Sequence, residues 1–198
     1  MIRKTSALIP IEFQYEWLNP QGKLYRLMQD QLQFKNSVEQ ATKAITYARN
    51  QNMLCIHSGL SFAVNYQELG EAKFGLRHHI RENKPFQKDS LGSQFFEPFS
   101  PLPGELQVQG RLGGSAFASS NLDQLLKNND IKKIYLMGYA LHVCVESTLR
   151  AAHDLGYETY VIHDACSAFN LEQKEFFLTH IIHHFGKAIS TAEFLSGE

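Results

Sequence analysis

The chain has 198 residues, 43% hydrophobic and 20% charged, a balance that suits one folded domain with a full core and excludes a wholly disordered chain. A formal net charge of −1 gives no electrostatic reason to expect a nucleic acid or an anionic membrane as partner. No apolar stretch reaches the roughly 18–20 residues that span a bilayer, and the opening MIRKTSALIPIEF reads as a first strand rather than an export signal.

In chain order, a strand is predicted over 6–12 and a helix over 37–50. In that helix Val38, Ala41, Ala44, Ile45 and Ala48 recur at helical spacing behind an N-cap at Asn36 or Ser37. The apolar run MLCIH gives a second strand over 53–57. Residues 58–103 then show little regular pattern, although they carry Phe62, Tyr66, Phe74, Phe86 and Phe99. A connection longer than about 12–15 residues is uncommon and often serves as a lid or an interface arm. A third strand at 105–109, a helix at 121–128 and a fourth strand at 133–137 follow. The remaining pattern is a helix over 143–155, a strand over 158–163, a helix over 171–185 and a short strand over 187–190.

Strands alternating with helices imply right-handed crossovers and a parallel sheet. The expected fold class is therefore α/β: a six-stranded, parallel, doubly wound (Rossmann-like) sheet with helices on both faces. The whole of 1–198 forms one domain in this reading, with 58–103 as a long excursion. Ligands in such sheets bind beyond the carboxyl ends of the strands. Glu12, His57 and the turn 139–144 all fall on that rim.

Three cysteines at unrelated spacings point to free thiols and a reducing, cytoplasmic setting. Cys55 and Cys166 read as small core residues. Cys144 is different, because it sits in a tight turn between an apolar strand and the helix behind it. A helix N-terminus there would depress the thiol pKa, and backbone N–H groups would face an incoming oxygen. Cys144 is the candidate nucleophile. His180, His183 and His184 have a helical spacing that can bind zinc, but without the glutamate of the metalloprotease helix they read as a solvated face.

The stretch GRLGGSAFASSNLDQLLKNNDIKKIYLMGYALHVCVESTLRAAHDLGYETYVIHDACSAF, with SALIPIEFQYEWL near the start, resembles the isochorismatase-like cysteine hydrolases, which include nicotinamidases and N-carbamoylsarcosine amidases. The resemblance implies a catalytic aspartate, lysine and cysteine. The cysteine falls on Cys144, the aspartate position on Glu12 and the lysine position on Arg111, so two of three members are replaced by residues of the same charge. It also implies an oxyanion hole from the backbone N–H groups of Ala140 and Cys144, a cis peptide at Tyr139–Ala140, and a pocket aromatic at Trp17. The segment where nicotinamidases hold a metal reads His57-Ser58-Gly59 here, so no metal and no cofactor is implied, while His57 could touch a substrate.

The implied function is hydrolysis of a C–N bond of a small molecule through a Cys144 thioester, by a homo-oligomer without nucleic-acid or membrane partners. An arginine that cannot give up its proton leaves open a member that only binds or scaffolds. A thiol redox sensor is the third reading, since Arg111 and a helix N-terminus would both favour thiolate.

Overall fold

In a computed structural model that describes residues 5–197, six parallel strands form one sheet in the order β3-β2-β1-β4-β5-β6. They are β1 (Ser6–Ile11), β2 (Leu54–His57), β3 (Leu106–Gln107), β4 (Lys133–Gly138), β5 (Glu158–Cys166) and β6 (Lys187–Ile189). The helices are α1 (Tyr15–Leu18), α2 (Gln31–Asn50), α3 (Gly75–Asn83), α4 (Leu122–Asn128), α5 (Glu146–Asp154), α6 (Leu171–Phe176), α7 (Ile182–Phe185) and α8 (Thr191–Ser196). Winding outward in both directions from β1 and β4 puts successive crossover helices on opposite faces. Accordingly α2 packs with α8 on one side, and α5 with α7 on the other. β1 is buried along its whole length, as a strand covered on both faces must be.

The doubly wound class is as expected, and the departures are local. The second helix begins at Gln31 rather than 37, because the Asp30 carboxylate accepts from Gln33 N–H and caps an earlier turn. Phe34 in that turn is 2% exposed and carries the apolar stripe of Val38 and Ala41 one turn further back, while Leu32 beside it is 82% exposed. The segment 58–103 is less irregular than its composition suggests. It holds α3 and two 3₁₀ turns, Gln67–Leu69 and Leu91–Ser93. Two expected helices carry π-helical turns, Leu141–Val145 ahead of α5 and Phe177–Ile181 between α6 and α7. Such turns widen a helix locally and often mark functional positions. Among the described residues no helix is long and apolar enough to cross a membrane.

The break in strand order lies between β1 and β4, whose residues pair from Ser6↔Lys133 to Ile11↔Gly138. Gly138, at φ 129, ends this ladder, and a Cβ there would stand 2.0 Å from the Ile11 carbonyl oxygen. Only glycine lets the two strand ends close on each other. Glu12 follows one of those ends and the Cys144 turn follows the other.

Candidate active site

Glu12 leaves β1 in the left-handed region, at φ 58. A non-glycine residue held there is uncommon, and such strain collects at functional sites. Its N–H donates to the Ser58 carbonyl at 2.7 Å, which turns the side chain under the sheet rim. The carboxylate is 1% exposed as a residue and has both oxygens engaged. Arg111 Nη2 donates to Oε1 at 2.6 Å, and Trp17 Nε1 donates to Oε2 at 2.9 Å. Arg111 is equally buried and equally fixed. Its Nε donates to the Gly113 carbonyl (3.1 Å), Nη2 also to the Gly114 carbonyl (2.6 Å), and Nη1 to Ser58 Oγ (3.3 Å). The Gly113-Gly114 pair thus serves to wrap backbone carbonyls around a guanidinium.

Cys144 stands in the π-helical turn and is 4% exposed. Burial first, and then the Glu12 carboxylate, push its thiol well above the usual range; Arg111 pulls it down without prevailing. The expected lowering of the thiol pKa is not what this site provides: the guanidinium that would favour thiolate is paired with Glu12, and burial disfavours the charged sulfur. A redox sensor needs an exposed, low-pKa thiol, and Cys144 is neither. Cys55 and Cys166 are likewise buried and free, both pushed up to about 12 by burial.

The peptide Tyr139–Ala140 is cis. The Cys144 N–H donates to the Ala140 carbonyl at 3.0 Å, as do the N–H groups of Val143 (3.0 Å) and Val145 (3.3 Å). One arm of the expected oxyanion hole is thus occupied within its own turn. Thr148 fastens this turn to the preceding segment: its Oγ1 donates to the Cys144 carbonyl (2.7 Å) and accepts from Ala116 N–H (2.9 Å).

A cavity of about 540 Å³ opens above the sulfur, lined by Glu12, Trp17, Ala140 and Cys144 together with residues of α3 and of the loops around Leu24 and Phe86. Glu12, Arg111, Cys144, Ala140 and Trp17 are thus brought together. His57 is not. It is fully buried off this cavity, with Nε2 2.8 Å from Glu105 Oε2. Arg49 forks onto the same carboxylate, Nε to Oε1 at 2.8 Å and Nη2 to Oε2 at 3.0 Å. His57 pins the β2–β3 edge. Among the described residues no group of three or more His, Cys, Asp and Glu is arranged to hold a metal ion.

Two further residues, Gln14 and Glu16, support the site, and Glu16 was invisible as functional in the sequence. Gln14 donates to the carbonyls of Leu60 (2.8 Å) and Ser93 (2.7 Å) and accepts from Leu60 N–H (2.8 Å), tying the excursion to β1. Glu16, 4% exposed, accepts from the N–H groups of Lys23 (2.8 Å) and Phe86 (3.1 Å), and so holds two cavity walls together. Gly92 is where that carboxylate needs room, since a Cβ would lie 2.2 Å from Glu16 Oε1.

The family model for the isochorismatase domain matches residues 6–193. An isochorismatase family protein of Bacillus subtilis, YwoC, is 38% identical over 103 residues, which is 52% of this chain and 54% of that protein. The chain thus spans about half the length of this curated relative. Two crystal structures share the fold. A cysteine hydrolase from Pseudomonas syringae pv. phaseolicola superposes with a TM-score of 0.81 at 21% identity, covering 99% of this chain and 93% of that one. An N-carbamoylsarcosine amidase from Thermoplasma acidophilum superposes at 0.74 with 19% identity, covering 94% and 96%. With the fold and a family-model match over residues 6–193 in agreement, the chain belongs to the isochorismatase family.

Proposed function

We propose that this protein hydrolyses a C–N bond of a small amide through a thioester on Cys144. The observation that carries the reading is a buried carboxylate–guanidinium pair acting on a cysteine thiol at the floor of a cavity. In the first half-reaction Glu12 takes the Cys144 proton as the sulfur attacks the carbonyl carbon. The C–S bond forms, the carbonyl electrons move onto oxygen, and the collapsing intermediate expels the amine with the proton returned from Glu12. In the second, Glu12 takes a proton from water as it attacks the thioester. The C–S bond breaks, the acid leaves, and the sulfur recovers its proton. A nucleophile protonated at rest fits a base placed beside it better than it fits a free thiolate.

Arg111 in this scheme moves no proton, since a guanidinium stays charged. It fixes the Glu12 carboxylate and offsets its charge as the thiolate develops. The Ala140 N–H, joined by that of Cys144 once it leaves the Ala140 carbonyl, would hold the oxyanion. The relatives named as a cysteine hydrolase and an N-carbamoylsarcosine amidase support this class of chemistry. The same reading makes the protein a cytoplasmic homo-oligomer, for which light scattering should return more than one chain.

The test is ammonia release from a panel of small primary amides by the natural protein and by Cys144→Ala. Turnover that falls by roughly a thousandfold or more in the variant is expected for loss of a covalent nucleophile. No turnover by the natural protein, with activity appearing in Arg111→Lys, would instead identify a binding member of the family.

A further inference from the structure

The cavity above Cys144 discriminates between kinds of substrate body. Its inner wall is made by Trp17, Leu60, Ile80, Phe86, Val143 and Phe169, of which the first four are 5%, 3%, 6% and 1% exposed. The one charge on the floor, Glu12, is already held by Arg111 and Trp17. Arg111 itself does not line the cavity, and its Nε and Nη2 donors are committed to Glu12 and to the carbonyls of Gly113 and Gly114. Among the described residues, the other charged or polar side chains on the lining, Lys23, His79 and Asn83, are all exposed. Lys23 is further tethered, its Nζ donating to the Lys84 carbonyl.

An anionic group on the body of a substrate would therefore lose its water against apolar wall, face the Glu12 carboxylate, and find no cation at depth. Such a group is desolvated without compensation. An apolar body gains instead, in proportion to the apolar surface it buries. We infer that the site takes neutral carboxamides of apolar acids, with medium-length alkyl or aryl bodies, and discriminates against half-amides of dicarboxylic acids. The placement of the carboxamide at Cys144 rests on the proposed reaction. The preference for an uncharged body rests on the cavity lining, its apolar wall and the Glu12 carboxylate.

The two can be tested apart. Ligand-observed NMR titration of Cys144→Ala with hexanamide and with adipamate compares the same six-carbon chain ending in methyl or in carboxylate, with no turnover to disturb it. Hexanamide should bind roughly tenfold more tightly or better. Leu76, on α3 and 40% exposed, lines the cavity where a charge can be added without disturbing the core. Leu76→Glu in the same background should weaken hexanamide severalfold. Equal affinities, tighter adipamate, or binding of neither ligand overturns the inference. A clear hexanamide preference with no ammonia released by the natural protein sinks the hydrolase reading and leaves the substrate-body inference standing.

Discussion

At the residue scale, Glu12 and Arg111 act as one buried pair. A glutamate reaches one methylene further than an aspartate and an arginine further than a lysine, and the two meet at 2.6 Å with both side chains 1% exposed. Removing either partner of such a pair strands a buried charge, a loss of about 3–5 kcal/mol. The pair also governs the sulfur. Because burial and Glu12 raise the Cys144 pKa, the thiolate fraction at neutral pH is smaller than for a free thiol. Alkylation of Cys144 by iodoacetamide should be slow at pH 7 and show no break near the ordinary thiol pKa of about 8.5. A fast reaction with a midpoint below that value would show that Arg111, rather than Glu12, sets the state of the sulfur.

At the element scale, the site exists because two strand ends close tightly and two turns take unusual forms. Gly138→Ala places a methyl against the Ile11 carbonyl at a φ that side chains avoid. It should cost about 3 kcal/mol or more, read as a fall in the urea midpoint; a neutral outcome would mean that the β1–β4 junction is not constrained by backbone contact. The strands were legible because buried parallel strands leave continuous apolar runs such as SALIPI. The Cys144 turn was legible from a strand, a glycine and a helix in sequence. α3 was not. Only Ile80 of GLRHHIREN is buried and no side chain caps its start at Phe74, so neither periodicity nor capping marked it. Glu16 escaped for a related reason: a glutamate in a short helix ordinarily faces water, and only tertiary contacts with Lys23 and Phe86 bury it. His57 lay at the right strand end, yet side-chain direction sent it to Glu105, and spacing along a chain does not report that direction.

At the scale of the whole molecule, stability should depend on the cluster that closes the β2–β3 edge. Burial opposes ionisation of Glu105, but hydrogen bonds from Arg49, Leu102 N–H and His57 prevail and hold it down to about 2, from an ordinary 4.5. A folded-state pKa below the unfolded one stabilises the protein above pH 4.5, and that contribution disappears as pH falls towards 2. His57, lowered from 6.5 by burial, acts in the same direction, since the unfolded chain binds its proton more readily. The melting temperature should therefore drop between about pH 6.5 and 2, and Glu105→Gln should flatten the part below 4.5. An unchanged acid profile in that variant would place the acid lability elsewhere. His57, Arg49 and Glu105 do not line the Cys144 cavity.

The proposed acyl intermediate on Cys144 can be trapped with an activated ester of an apolar acid, whatever the natural substrate is. The protein is mixed with p-nitrophenyl hexanoate, quenched in acid and weighed by intact-mass spectrometry with peptide mapping. One hexanoyl group per chain is expected on Cys144, and none on the Cys144→Ala variant. Hexanoyl transfer to another residue, or equal labelling of the variant, would contradict it.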